Sequence, residues 1–314
     1  MPSVSVPTRS SGVVAALISA AAFGLSGTIV TPMLTAGWSP AAAVVVRLSI
    51  GALALAPWAV ISMKGHWTRW RSMLGTIAVY GALAVAGVQF AYFQAVRTIP
   101  VAVALLLEYL GLVLVLVWLR VRRHQKVAWP AWMGAGVALT GMVLVLQLDR
   151  IDQLDLRGVS WGLAAAVGLA AYFILADSPR TDADNAVTHT GEPVPPPVLA
   201  AGGLGLGALG LLALCAVGVL PWTTSTLRLD YGGLTVPWWT AALALGGVSG
   251  AVAYASGILA VRRLGPRLAA FLALIEVLIA TATAALVLGQ ALAPIQWIGA
   301  VVVIVGIIII RRTQ

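Results

Sequence analysis

AVRTIP, residues 95–100, returns 165 residues later as AVRRLG, residues 260–265, and the reading of that pair decides the architecture. Carried outward without a gap, the same shift lays Trp132 on Trp297, Gly134 on Gly299 and Gly141 on Gly306. The chain contains a repeat, and the surrounding residues say what is repeated.

Those surroundings are apolar. Of 314 residues, 61% are hydrophobic and 9% charged, where a soluble domain carries about a quarter charged. A helix crossing the roughly 30 Å hydrocarbon core of a bilayer needs about 20 mostly apolar residues. Runs of that kind predict ten spans, at roughly 12–34, 39–62, 72–96, 99–119, 127–147, 158–176, 198–219, 237–261, 266–288 and 293–310. The turn residues of TAGWSP (35–40) and LGQALAP (288–294) divide two uncharged runs too long for one span each. The aligned stretch therefore covers spans 3–5 and 8–10, while spans 1–2 match 6–7 only weakly and with gaps.

Five spans per half is an odd number, so the second half enters the membrane upside down relative to the first. The expected fold is an all-α polytopic membrane protein of ten transmembrane helices in two inverted five-helix repeats, residues 1–147 and 158–314, joined by an outer linker at 148–157. The stretch 177–197, DSPRTDADNAVTHTGEPVPPP, is acidic and proline-rich and reads as a flexible cytoplasmic loop within the second repeat.

Basic residues orient the chain. With the N-terminus inside, 14 Lys and Arg fall in inside loops, 4 in outside loops, and Arg47 lies within a span. Both termini are expected to be cytoplasmic. A net charge of +9 does not point to nucleic acid, because the basic residues form short loop clusters and not one stripe. Trp38, Trp67, Trp70, Trp129, Trp222, Trp238 and Trp239 fall near span ends, where interfacial anchoring puts them.

Enzyme signatures are lacking in the sequence. Cys215 is the lone cysteine, and His66, His124 and His189 all fall in loops, so neither a disulfide nor a metal cluster is expected. GLGALG (205–210) fits the dinucleotide fingerprint in letters, yet it lies inside an apolar span with no strand before it. Close helix packing through Gly203 and Gly207 explains it better. No cofactor is expected.

Three ionisable residues stand inside spans: Arg47, Glu108 and Glu276. Glu108 follows Pro100 by eight residues and Glu276 follows Pro266 by ten, which at 1.5 Å per residue is about 12 and about 15 Å from opposite faces. Both carboxyls should lie close to the midplane. Arg47, seven residues past Pro40, comes to about 10 Å and can meet Glu108. A buried structural pair is the bland account. Charge at such depth costs at least about 2.5–3.5 kcal/mol per residue and commonly lines pathways or proton relays. Three groups at one level favour function. Gln89 and Tyr254, equivalent under the 165-residue shift, flank this level, and Tyr92, Gln94, Tyr109 and Tyr172 add further polar groups. Glu276 is the expected proton carrier. Glu108, beside Arg47, is the expected ligand for a substrate amine.

At these residues the sequence resembles the drug/metabolite transporter superfamily, of the EamA type, over essentially its whole length. The resemblance rests on VVVRLSIGALAL (44–55), RTIPVAVALLLEYLG (97–111), RLAAFLALIEVLIA (267–280) and ALAPIQWIGAVVVIVG (291–306). It is similar within that group to the homoserine/threonine exporters, which carry an L-E-[FY]-x-G element in span 4, an amide at the place of Gln89 and a tyrosine at that of Tyr254. It departs from them at Leu112 and Val277, where their pattern has proline, and at Gln290, where it has glutamate. The resemblance implies a central cavity built by both repeats and export of amino acids or related small metabolites by alternating access without ATP. Efflux of apolar drugs or cations is the alternative within transport; a membrane scaffold or enzyme is the alternative outside it. The expected partners are a small-molecule substrate and the lipid bilayer, with protons as coupling ion and a homodimer left open. Seventeen Arg against two Lys fit a bacterium of high genomic GC content, and so a bacterial cytoplasmic membrane.

Overall fold

The computed structural model describes residues 9–64, 70–96, 98–99, 101–125, 127–146, 155–177, 194–288 and 293–312. Most of the linker expected at 148–157 and most of the loop expected at 177–197 lie outside them. The described chain is helical almost throughout, as long apolar runs require, since in hydrocarbon every backbone N–H and C=O must be satisfied within the protein. In order come α1 (Arg9–Thr35), α2 (Pro40–Ser62), α3 (Trp70–Val79), α4 (Val88–Val96), α5 (Val101–Tyr109), α6 (Gly111–Val121), α7 (Trp129–Leu146), α8 (Leu156–Ala176) and α9 (Pro196–Ala216). A hairpin of β1 (Leu229–Tyr231) and β2 (Leu234–Val236) precedes α10 (Trp238–Ala244), α11 (Ala253–Leu264), α12 (Pro266–Ala273), α13 (Ile275–Leu288) and α14 (Pro294–Arg312).

Eight helical stretches among these are long and apolar enough to cross a membrane. They match the first four and the sixth to ninth expected spans. At the fifth and tenth stand shorter apolar helices, Trp129–Val145 and Pro294–Ile310. The starts obey local chemistry. Ser39 caps α2 by accepting the Ala42 N–H at 3.3 Å, Pro40 fills its first turn, and Asp155 caps α8 through the Arg157 N–H at 2.8 Å.

Three features depart from plain α-helices. α3 runs into α4 through a π-helical segment, Tyr80–Gly87, and α10 into α11 through another, Leu245–Val252. A shift of 165 residues carries the first segment onto the second, end to end. Spans 4 and 9 are each broken. At Leu110 the N–H bonds to the Leu107 carbonyl and the Val113 N–H to that of Leu110, at 3.1 and 2.9 Å. At Leu274 the bonds to Phe271 and from Val277 repeat the pattern at 3.2 and 3.1 Å. Both are three-residue turns tighter than the α spacing. The hairpin is the third departure: its turn holds Gly232 and Gly233 at φ 63° and 99°, a conformation that glycine adopts without strain.

Contacts between the two halves come in mirrored sets. α2 packs on the second π segment as α9 packs on the first, and α1 on α11 and α13 as α8 packs on α4 and α6. α7 lies against α14, antiparallel, where glycines bring the backbones together. A Cβ on Gly134 would stand 2.9 Å from the Gly306 carbonyl and one on Gly306 2.7 Å from that of Gly134; Gly141 and Gly299 oppose each other in the same way at 2.8 and 2.7 Å. Small residues let helix backbones approach where water supplies no driving force between them.

Candidate functional site

The breaks in spans 4 and 9 position the two carboxyls. Glu108 sits at the last turn of α5 and Glu276 at the first turn of α13, each beside the residue where its span is interrupted. Interrupted helices near the midplane are where many secondary transporters build their sites. On α1, Gly24 makes room for the second break, since a Cβ there would stand 2.8 Å from the Glu276 carbonyl oxygen.

Arg47, on α2, is the one charged side chain among the described residues in the fully buried class, at 8% exposure. Its Nε and Nη2 donate to the Ser249 carbonyl on the second π segment, at 3.3 and 3.0 Å. Its guanidinium also lies over the Phe23 ring of α1, 5.4 Å from the centroid. Gly250 admits this approach: a Cβ there would meet the Arg47 carbonyl at 2.7 Å. The contact expected between Arg47 and Glu108 is therefore corrected. The two form no ion pair at contact distance, because the guanidinium is turned toward the Ser249 carbonyl of the other half. Arg47 is instead in electrostatic reach of Tyr254, Glu276 and Glu108.

The hydroxyls and amides assemble around this centre. Tyr109 on α5 is buried and places its hydroxyl as donor to the Glu276 carboxyl, linking the two broken spans. Gln89 on α4 is the side-chain hydrogen-bond partner of Tyr254 on α11. Equivalent under the 165-residue shift, these two meet across the interface of the halves. Tyr92, one turn beyond Gln89 and on the same face, lies nearest Glu108 of the two carboxyls. Gln94 is half-buried and two residues further along α4, so helical geometry turns it about 200° away from Tyr92. It stands apart from the face that the others share. Tyr172 on α8 packs edge-on to Tyr254, centroids 5.8 Å apart.

Other residues of this region carry no signal that sequence reasoning caught. Phe23 meets Tyr254 edge-to-face at 5.1 Å, and Tyr80, on the first π segment, lies 6.1 Å from Tyr172. Ser249 serves through its backbone carbonyl, which any residue would supply. Ser19 on α1 donates to the Ala253 carbonyl at 2.8 Å. Tyr80 could have been found as a further tyrosine in the span that carries Gln89, Tyr92 and Gln94. Phe23 could not, since aromatic residues are common in such helices.

Chemically, the centre offers a guanidinium for an anionic group, two carboxyls for a cationic group or a proton, and aromatic faces between them.

Comparison with known proteins fits this picture. No curated protein matches the chain. A crystal structure of another protein matches 96% of this chain and 98% of its own with a TM-score of 0.76 at 19% sequence identity, a likeness that speaks for the fold alone. Residues 10–147 match the EamA-like transporter family, whose members are transporters and not enzymes. With its apolar helices and its buried charged centre, the chain is a multi-pass membrane protein whose residues 10–147 match the EamA-like transporter family.

Proposed function

We propose that the chain is a secondary active transporter of small zwitterionic metabolites, amino acids or related compounds, exported across a bacterial cytoplasmic membrane by alternating access between two inverted five-helix units. The observation that carries the reading is the meeting of Arg47, Glu108 and Glu276, from α2, α5 and α13, around the Tyr109 and Gln89–Tyr254 contacts. A zwitterion presents one anionic and one cationic group, and this centre offers a partner for each. Support for the inverted arrangement comes from the mirrored contacts, the π segments at one register and the reciprocal glycine crossing of α7 and α14. α7 has 18 residues and α14 has 19, about 27–29 Å at helical rise, which makes them the fifth and tenth spans.

Within the site, Arg47 receives the substrate carboxylate. Glu276, with the Tyr109 hydroxyl donating to it, is the charged ligand for the substrate amine. Glu108 is the group that takes up and releases the coupling proton. This divides the labour in the opposite way to depth alone, and it follows from where Tyr109 and the Arg47 guanidinium point.

The test is flux into proteoliposomes with a panel of amino acids and one lipophilic cation, with and without a proton gradient, for wild type, Glu108→Gln and Glu276→Gln. Wild type is expected to move an amino acid and respond to the gradient. Glu108→Gln should keep counterflow and lose the response, and Glu276→Gln should lose binding. Wild-type flux in both variants returns the two acids to a structural role. Transport of the cation alone instead selects drug efflux, a reading that the aromatic faces of Phe23, Tyr254 and Tyr172 favour.

A further inference from the structure

Beyond the charged centre, a line of aromatic rings leaves Arg47 in one direction only. Phe23 lies under the guanidinium, Tyr254 stands 5.1 Å from Phe23, Tyr172 5.8 Å from Tyr254, and Tyr80 6.1 Å from Tyr172. Tyr80 is within electrostatic reach of Arg262 near the end of α11. That guanidinium donates to the Ala176 carbonyl at 3.3 Å and to the Val194 carbonyl, which hold the ends of the segments flanking 178–193.

Two hydroxyls on this line, those of Tyr80 and Tyr172, are buried and under-bonded. Tyr80 is 0% exposed, and its Oη has no hydrogen-bond partner among the described residues. The Tyr172 Oη faces Ser19 but makes no hydrogen bond of normal geometry among the described residues, and the Ser19 proton is committed to the Ala253 carbonyl. A phenol kept from water without a partner is costly. Buried polar groups in folded proteins are satisfied by protein or by bound water, nearly without exception, and a polar site with several donors and acceptors is where water resides. Gly257 contributes by absence of a side chain: a Cβ there would collide with the Tyr172 Oη and crowd the Ser19 Oγ.

The repeat-related position differs. Under the 165-residue shift Tyr80 corresponds to Leu245, which packs with Met33, Trp38, Ala42 and Leu229 in an apolar cluster toward the hairpin. It carries no hydroxyl there.

We propose that Tyr80, Tyr172 and Ser19 hold a chain of bound water that joins the carboxyl centre to the Arg262 end of the molecule and serves as its proton route. The water site stands on the buried hydroxyls alone. Its use by protons rests on the transport reading above.

Tyr80→Phe and Tyr172→Phe, singly and together, test it in the full-length purified protein. If water bridges the phenols, each single variant lowers the thermal midpoint by about 2 °C, and the double variant lowers it by less than the two together, since the lost partners are shared. A midpoint unchanged or raised in either single variant means a dry hydroxyl and overturns the proposal. In proteoliposomes the double variant should keep substrate counterflow and lose gradient-driven uptake. Equal loss of both assigns the phenols to substrate contact and overturns the proton route. A wild type indifferent to the gradient removes the coupling reading itself and the proton route with it, and the unfolding arm then decides alone whether water is held.

Discussion

Arg47 shows how one residue can serve a site through contacts that its own sequence neighbourhood does not reveal. Its charge inside span 2 is plain in the letters, and so is the depth that it shares with Glu108 and Glu276. Its partner is not, because the Ser249 carbonyl belongs to the backbone of a glycine-rich stretch and leaves no side-chain signature. The equivalence of Gln89 and Tyr254 was legible from the repeat register, but their hydrogen bond was not, because equivalence under a repeat does not imply contact. A buried charge that loses its partner typically costs about 3–5 kcal/mol. Arg47→Ala leaves two carboxyls without their cation, so folded protein recovered from membranes should fall sharply. Glu276→Gln added to Arg47→Ala should restore more of it than Glu108→Gln, because Glu276 is the carboxyl whose charged form the Tyr109 hydroxyl supports. Fluorescence-detected size exclusion reads the yields, and a larger rescue by Glu108→Gln would return Arg47 to the pairing expected from depth.

At the scale of elements, span positions follow from hydropathy, whereas their internal irregularities do not. A π turn is visible in sequence only as a slip in an apolar stripe, and helices apolar on nearly every face have no stripe to slip. The breaks at Leu110 and Leu274 are hidden too, for no proline or glycine stands at either position. The hairpin was more accessible: LRLDYGGLTV (227–236) alternates apolar and polar residues before a Gly-Gly turn, a hairpin pattern overlooked among the longer apolar runs. The α7–α14 crossing was signalled by the matched glycines, and it yields a contrast within one helix. A Cβ on Gly141 would come within 2.5 Å of the Val303 nitrogen, while one on Gly136 meets nothing within 4 Å. Gly141→Ala is expected to destabilise by about 1–3 kcal/mol through overpacking, and Gly136→Ala to stabilise by up to about 1 kcal/mol through helix propensity. Thermal midpoints in detergent should therefore move in opposite directions. Equal shifts would mean that the crossing is not close-packed.

For the whole molecule, the repeat and the charge asymmetry were both legible from the letters, and together they fix an expected orientation. Since basic residues divide 14 to 4 between the two sides, an alkaline phosphatase fused after Gln314 should be inactive and a cytoplasmic reporter there active. Phosphatase activity at that end would overturn the inverted arrangement. The difference between the halves, Tyr80 in one against Leu245 in the other, also stands in the letters, but its place beside Tyr172 does not. Under the proposed alternating access, the two π segments have a mechanical consequence. Each winds surplus chain into a turn closed one residue later than in an α-helix. Returning one residue to α pitch lets out about 1.5 Å of length and about 100° of rotation. Since Gln89 and Tyr254 ride just past the two segments, such slack taken up on one side swings one of them out of the other's reach, and taken up on both it winds the two halves like opposed screws on a common thread.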